Sequence, residues 1–217
     1  MPRKKKLNVL IACEISQVEM NAFRRRECNA YSCDVQLLRG SGDIRYHIPG
    51  DVTPLLRGKR WFYTQDALLH HVPKWDLIIA HPPCTYLCRV SSVQMVKQGV
   101  IHPVRYKKML DARQFFYECL NAKADYLAVE NPQPMARAEL PPPDFFIDPT
   151  WFGAKYTKKT LYWTRNLPPL MPTVINPSTK QLVYCSRDKY RSVSFKEVAE
   201  AMTSQWIDYI TQEKKKK

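Results

Sequence analysis

The chain has 217 residues, of which 45% are hydrophobic and 25% charged, and these values are ordinary for a globular domain with one buried core. No run approaches the roughly 18 apolar residues of a membrane helix, and the apolar run after the basic start is too short for a secretory signal. We therefore expect one cytoplasmic domain over residues 1–217, with basic tails at 1–6 and 213–217.

The chain is strongly basic, and its charge predicts the class of partner. The formal net charge falls from +14 to +6 when the eight cationic residues of Arg3–Lys6 and Lys214–Lys217 are set aside. Further basic clusters recur at Arg24–Arg26, Arg105–Lys108 and Lys155–Lys159. Such a distribution favours a polyanion, most simply nucleic acid, and not a membrane, as the partner.

The seven cysteines do not predict disulfide bonds. Their number is odd, and Cys13, Cys33 and Cys84 each stand at the end of an apolar run, which favours free thiols in a reducing compartment. Cys84 and Cys88 have no second pair of cysteines or histidines at zinc-ligand spacing. We therefore expect no metal site.

The first 132 residues alternate between short apolar runs and helical spacing. The apolar runs predict strands at Leu7–Cys13, Ala30–Cys33, Trp75–Ala80 and Tyr126–Glu130. The helical spacing predicts helices at Gln17–Arg26 and Arg105–Leu120. Because the strands alternate with helices and are almost continuously apolar, they predict an α/β fold with a mostly parallel sheet and helices on both faces.

The second half has a different composition. Gln133–Pro149 and Leu167–Pro177 are rich in proline, which excludes regular helix and central strand. Between them, Thr160–Trp163 predicts a further strand. Ser194–Ile210 predicts an amphipathic helix in which Ser194 and Glu197 form a capping box.

Each strand predicted in the first half ends in, or is followed directly by, polar or special residues. They are Cys13-Glu14, Asp34, His81-Pro-Pro-Cys84 and Glu130-Asn131. In open parallel sheets, ligands bind outside the carboxyl ends of the strands, which meet at one edge. The sequence therefore predicts one site at that edge.

Three of these segments, in this order, resemble the DNA cytosine-C5 methyltransferases, and most closely the short phage and bacterial proteins described as cytosine methyltransferase-like. Val9–Gln17 is similar to the family's cofactor loop, Ile79-Ala-His-Pro-Pro-Cys84 to its Pro-Cys nucleophile motif, and Val129-Glu-Asn131 to its Glu-Asn motif. The resemblance implies a Rossmann-like class I methyltransferase fold that uses S-adenosylmethionine, in a bacterial cell or a phage-infected host.

The same resemblance implies where S-adenosylmethionine binds. The expected contacts are the loop after the first strand, an acidic residue at the ribose, a turn at the adenine and one residue of the last helix. They are Cys13, Glu14, Ile15, Ser16, Asp34, Asp51, Val52 and Met202. The family has glycine where Gln17 stands, because glycine lets the backbone approach the cofactor.

The resemblance also assigns catalytic roles. Cys84 is the nucleophile that adds to C6 of cytosine, and Glu130 protonates N3 as the adduct forms; Pro83 and Asn131 complete the two motifs. Addition of a thiolate at C6 makes C5 enamine-like, so that C5 can take a methyl group. The base must leave its stack to reach such a pocket. His81 is interpreted as a neighbour of the site and not as a catalyst.

Nucleic acid is the expected partner of this site. Candidate contacts to the base or phosphates are Lys158, Lys159, Arg187 and Arg191. Only 87 residues follow Glu130, which leaves little room for a separate target-recognition domain. The expected substrate is therefore double- or single-stranded DNA or a free cytosine nucleotide, with sequence choice either lax or supplied by a partner protein.

Two alternatives stay open. An amino-methyltransferase acting on adenine N6 or cytosine N4 carries Asp/Asn-Pro-Pro-Tyr at the same strand end, and Asp76–Cys84 is similar to that frame, with His81 and Cys84 at the two gripping positions. The other alternative is a non-catalytic nucleic-acid-binding protein on a methyltransferase scaffold. Cys84→Ala distinguishes them, because it abolishes C5 transfer and leaves amino transfer or DNA binding intact.

Overall fold

A computed structural model describes residues 6–97, 99–155, 157–175 and 194–216. Within these ranges the strands are β1 (Asn8–Ala12), β2 (Asn29–Asp34), β3 (His47–Pro49), β4 (Trp61–Tyr63), β5 (Leu69–His71), β6 (Trp75–Ala80), β7 (Val96–Lys97), β8 (Val100–Ile101), β9 (Ala124–Asn131), β10 (Phe145–Ile147) and β11 (Thr160–Arg165). The α-helices are α1 (Val18–Arg25), α2 (Thr53–Leu56), α3 (Pro103–Leu120) and α4 (Lys196–Lys215).

Seven strands form one sheet in the order β3-β2-β1-β6-β9-β11-β10. The strands β3, β2, β1, β6 and β9 pair in parallel, whereas β11 is antiparallel to both of its neighbours. The first five therefore follow the order of a Rossmann sheet, and the antiparallel β11 enters next to its last strand. This is a Rossmann-like fold, and the predicted α/β class with a mostly parallel sheet is confirmed.

Helices cover both faces of the sheet, as predicted. On one face, Leu10 and Ile78 pack with Leu55 of α2 and with Met109 and Phe116 of α3. The opposite face carries a second cluster, in which alternate strand residues pack against α1 and α4; it includes Val9, Ile11, Leu77, Ile79, Phe23 and Trp206. Successive residues of a strand point to opposite faces, so both faces of β1 and β6 are buried.

The capping box predicted for the last helix is wrong. Helix α4 begins at Lys196, with Phe195 at the N-cap and no side-chain cap. Phe195 instead packs against the core cluster beside α1 and α4, so an apolar contact sets the start of the helix. The helix also continues to Lys215, where Lys214 pairs with the buried Asp76, and the expected tail is thus partly helical.

Two hairpins were not predicted, namely β4–β5 and β7–β8. In the first, Phe62 is buried and stacks on Trp75 at the start of β6. No helix among the described residues combines the length and the hydropathy that a membrane span requires.

Candidate active site

The predicted strand ends do meet at one edge of the sheet. The backbone N–H of His81 donates to the carbonyl of Ala12 at 3.0 Å, and that of Glu14 donates to the carbonyl of Cys33 at 3.1 Å. The N–H of Gly50 donates to the carbonyl of Asp34 at 2.9 Å. These bonds continue the parallel pairing beyond the strands, and they bring the loops after β1, β2, β3 and β6 side by side.

Cys84 begins a tight turn directly after β6. Its carbonyl accepts the N–H groups of both Leu87 and Cys88 at 3.0 Å. The carbonyl of Pro82 accepts the side-chain amide of Asn131 at 2.8 Å, so the end of β9 holds this turn in place. Pro82 is buried, Pro83 is exposed and Cys84 is half-buried. The turn therefore carries the thiol to the edge of the sheet.

The Cys84 thiol stays protonated in the resting protein. Burial raises its pKa, and the charges of Cys88 and Glu130 raise it further, while Lys158 partly opposes them. These electrostatic interactions also mean that Cys84 lies near Glu130 and Lys158. Any reaction in which this sulfur acts as a nucleophile must therefore first form the thiolate.

Glu130 belongs to a buried array of three charged groups. One ring nitrogen of His81, Nδ1, lies 3.1 Å from Glu130 Oε2, and the other, Nε2, lies 2.9 Å from Glu19 Oε2. The side chains of Glu19, His81 and Glu130 are 2%, 15% and 13% exposed. The array connects α1, the end of β6 and the end of β9.

The array fixes the protonation of its members. Burial alone would lower the pKa of His81, but Glu19 and Glu130 outweigh it and hold the pKa well above its ordinary value. Burial alone would raise the pKa of Glu130, but the His81 hydrogen bond and the Lys158 charge hold it below its ordinary value. His81 is thus held as an imidazolium and Glu130 as a carboxylate.

Two buried acceptors at this edge have no hydrogen-bond partner within the described part of the chain. They are Glu130 Oε1 and Asn131 Oδ1. Buried polar atoms are almost always hydrogen-bonded, and exceptions call for an explanation. Both residues stand at the end of β9 beside the Cys84 turn, so the two oxygens are suited to a bound ligand that donates hydrogen bonds.

The antiparallel strand β11 and the segment just before it each add one residue to the site. Tyr162 lies opposite Glu130 in the pairing of β9 with β11 and is 2% exposed. Burial and the charges of Glu130 and Glu19 raise its pKa. Just before β11, the charge of Lys158 acts on both Cys84 and Glu130.

Lys159, a second predicted nucleic-acid contact, is not brought into this cluster. Lys159 is exposed, and its Nζ lies over the ring of Phe146, 4.3 Å from the centroid. Arg187 and Arg191 lie outside the described residues.

The residues expected at the ribose and adenine form a second cluster on the same edge. Burial, followed by the charges of Asp34 and Asp51, raises the pKa of Cys13 to about 12, so the three side chains lie close together. Asp34 Oδ1 accepts the N–H of Gln36, and Asp51 Oδ1 accepts the N–H of Thr53, both at 2.9 Å. In each carboxylate, the hydrogen bond to Oδ1 fixes the orientation of the group. The neighbouring Val52 is buried.

Glu14 is engaged with the first helix. Its Oε1 accepts the N–H of Glu19 at 2.8 Å, and its Oε2 accepts the N–H of Met20 at 3.2 Å. Ser16 Oγ donates to the same carboxylate at 3.2 Å. Burial and then the charge of Glu19 raise the pKa of Glu14 to about 7. The positive end of α1 is therefore occupied by a side chain of the loop itself.

Ile15 and Met202 are two other residues of the predicted cofactor-binding set, and they lie in different parts of the structure. Ile15 is half-buried in the loop after β1. Met202 is fully buried and packs in the core cluster between α4, α1 and the sheet. The structure thus does not bring Met202 to the edge with Cys13, Asp34 and Asp51.

Gln17 adopts the backbone conformation that favours glycine. Its φ is 56° and its side chain is almost wholly buried. Its Oε1 accepts the N–H of Asp43 at 2.7 Å, and its Nε2 donates to the carbonyl of Asp43 at 2.9 Å and to Ser32 Oγ at 3.3 Å. The glutamine therefore ties the loop after β1 to the loop between β2 and β3.

A groove of about 520 Å³ opens beside the Cys84 turn. One wall belongs to the segment after Cys84 and the other to the segment after Asn131, and the N–H of Arg89 joins them by donating to the carbonyl of Gln133 at 2.8 Å. Arg89 and Arg137 line the groove together with Met95 and neighbouring residues, and none of the described residues in its lining is acidic. The groove suits an extended anionic chain.

Sequence reasoning did not identify Glu19 and Tyr162, and it treated His81 as a bystander. One signal for Glu19 was available, because an acidic residue stands on the helix face that also carries Ala22 and Phe23, three and four positions later. A charged residue on a buried face needs a partner. Tyr162 had no such signal, because it approaches Glu130 only through strand pairing.

No protein-family model matches this chain, and a search of curated proteins gives no match. Among solved structures, a similar chain is a candidate DNA modification methyltransferase encoded within a prophage of E. coli. The two chains are 13% identical, with a TM-score of 0.42, over 79% of this chain and 52% of that one. This chain therefore spans about half the length of that structure.

Proposed function

We propose that the protein transfers a methyl group from S-adenosylmethionine to C5 of cytosine in DNA, with Cys84 as the nucleophile. The observation that carries this proposal is the meeting of Cys84, Glu130 and Lys158 at one edge, where Glu130 Oε1 is buried and has no hydrogen-bond partner among the described residues. A thiol beside a carboxyl group with a free acceptor is what addition to a pyrimidine ring requires.

The residues at the ends of β1, β2 and β3 fit the cofactor. The carboxylates of Asp34 and Asp51 are each oriented by a backbone N–H on Oδ1. Within the described residues Oδ2 of each has no hydrogen-bond partner and suits a ribose hydroxyl or an adenine amino group. When bound there, S-adenosylmethionine supplies an electrophilic methyl group. Because Glu14 occupies the start of α1, the amino-acid end of the cofactor must be held by other groups.

The protein's own residues account for the activation of the base. The cytosine ring lies between Cys84 and Glu130, with N3 toward Glu130 Oε1. As Cys84 Sγ bonds to C6, its proton passes to Oε1 of the ionised Glu130 and from there to N3, so that C5 becomes nucleophilic. After methylation the C5 proton leaves to water, the C6–Sγ bond breaks, and the N3 proton returns to sulfur by the same carboxyl group.

The substrate is best read as a nucleic acid strand and not a free nucleotide. The groove with Arg89 and Arg137 begins beside the Cys84 turn and can hold the nucleotides next to the target base. The net charge of +14 favours the same partner. The base itself must be turned out of its stack to reach Cys84.

Amino transfer is less well supported by the geometry. In the amino-methyltransferase frame, the residue at position 81 must contact the amino group that is modified. Here both ring nitrogens of His81 are within hydrogen-bond distance of carboxylates, at 2.9 and 3.1 Å. This side chain therefore has no free polar atom for a base.

Release of tritium from DNA labelled at C5 of cytosine tests the proposal, because C5 transfer expels that hydrogen and amino transfer does not. We expect release that depends on S-adenosylmethionine, is abolished in Cys84→Ser and persists in the matched control Cys88→Ser. Titration calorimetry with S-adenosylmethionine and S-adenosylhomocysteine establishes cofactor binding separately. Methylation of DNA without tritium release would favour amino transfer, and DNA binding without cofactor binding would favour a non-catalytic protein.

A further inference from the structure

The Glu19–His81–Glu130 array contains more than the proposed reaction uses. Three side chains from three separate elements meet with their polar ends buried, at 2.9 and 3.1 Å. Bringing such charges out of water is costly unless each is paired. The arrangement nevertheless leaves Glu130 Oε1 without a partner in the described structure, while Oε2 is held by His81.

We propose that His81 is a positioning residue for Glu130, which it holds ionised and oriented so that Oε1 faces the reacting base. This inference rests on the proposed function, in which Oε1 accepts the proton of Cys84. A carboxyl group can accept that proton only while it is ionised, and it can reach both sulfur and N3 only if its plane is fixed. The hydrogen bond between His81 Nδ1 and Oε2 supplies both conditions.

The charges around the array agree with this role. Glu19 on α1 faces the far ring nitrogen of His81, and Glu14 in the loop after β1 also acts on this cluster. Lys158, before β11, adds positive charge on the side of Glu130. The remaining neighbour, Tyr162, is a neutral phenol whose pKa is raised by burial and by Glu130 and Glu19.

Removal of His81 has a consequence that can be predicted in sign. Burial would then raise the pKa of Glu130. Of the interactions that now lower this pKa, only that with the charge of Lys158 would remain. A larger fraction of Glu130 would then be protonated and unable to accept the thiol proton. Methyl transfer would therefore fall, and it would recover as the pH rises through the new pKa of Glu130.

The test is the pH dependence of kcat for methyl transfer in wild type, His81→Gln and Glu19→Gln. We expect His81→Gln to lose about 100-fold at neutral pH, with little change in KM for DNA, and to regain part of this at alkaline pH. Glu19→Gln, which keeps the imidazole, should shift the acidic limb in the same direction by a smaller amount. A matched control is His47→Gln, which removes a buried histidine bonded to Ser32 and Gln36 and should leave the limb unmoved.

A spectroscopic readout is independent of activity. In protein labelled with ¹⁵N-histidine, the His81 ring is assigned by its absence in His81→Gln. Its two nitrogens should both remain protonated at a pH where His47, whose pKa is lowered by burial, is neutral.

A neutral His81 at that pH, or a pH profile that both variants leave unchanged, would overturn the positioning role even if the wild type methylates DNA at C5. Absence of methyl transfer by the wild type would instead refute the proposed function, and the ¹⁵N titration would still report on the array.

Discussion

Replacing Gln17 by glycine tests how this chain holds a left-handed backbone position in the loop after β1 without glycine. The φ of 56° at Gln17 places a non-glycine residue in the left-handed region, which costs about 1–2 kcal/mol. Glycine would relieve that strain. The substitution would also remove three hydrogen bonds made by the buried side chain, two of them to the backbone of Asp43.

The lost bonds outweigh the relieved strain. A hydrogen bond of this kind contributes about 1 kcal/mol net, so the three together contribute about 3 kcal/mol. Glycine recovers about 1 kcal/mol of strain, less a smaller cost that arises because glycine gives the unfolded chain more conformational freedom. We therefore expect Gln17→Gly to lower the free energy of unfolding by about 2 kcal/mol. Gln17→Ala keeps the strain and loses the same bonds, so it should lower it by about 3 kcal/mol.

Urea unfolding of the three proteins measures these differences, with an unchanged m-value as the sign that the states compared are the same. Glu27→Gly is the matched control, because Glu27 has a φ of 62° and an exposed side chain. That substitution relieves strain alone and should stabilise by up to about 1 kcal/mol. If Gln17→Gly were as stable as wild type or more so, the bonds to Asp43 would not hold the two loops together.

Three other predictions follow from the buried charges. Glu130→Gln should lower the pKa of Cys84 and abolish methyl transfer. The lower pKa should speed alkylation of Cys84 by iodoacetamide at neutral pH, which mass spectrometry of the Cys84 peptide measures. An unchanged alkylation rate would mean that the two groups are not neighbours. His81→Leu should cost about 3–5 kcal/mol in urea unfolding, because Glu19 and Glu130 lose their shared partner, and a loss below about 1 kcal/mol would contradict this. Thermal stability should fall as the pH rises from about 6 to about 9, because folding raises the pKa of Glu14 to about 7 and holds that of His81 well above its ordinary value, so that both groups bind protons more tightly in the folded state; a midpoint that rises over this range would refute the sign.

The strands that the sequence predicts well are those with continuous apolar runs. The predicted bounds of Trp75–Ala80 agree with β6, whose residues are all buried. The hairpin of β4 and β5 was missed because each of its strands has only three residues, too few for an alternating pattern to stand out. The capping box at Ser194 failed for another reason, because an apolar contact of Phe195 replaces the polar cap.

Some features of the candidate site could likewise be predicted from the sequence, and others could not. Its place at the carboxyl edge follows from the parallel order of the strands, and the arrival of the loops with Asp34, Cys84 and Glu130 at that edge could be predicted. The partners of Glu130 could not, because Glu19 reaches His81 through helix packing and Tyr162 reaches Glu130 through antiparallel pairing. Neither contact produces a residue spacing that can be recognised in the sequence.

Strand β9 ends with two consecutive polar residues that serve opposite sides of the sheet. Glu130 joins His81 on the side of α1, whereas Asn131 holds the carbonyl of Pro82. The site therefore depends on the face of the sheet to which each of these side chains points, as well as on the identity of the residues. Apolar substitutions within β9 would keep these orientations. The gain or loss of a single residue before Glu130 would turn each side chain to the opposite face, and the site would be lost although the composition stayed almost the same.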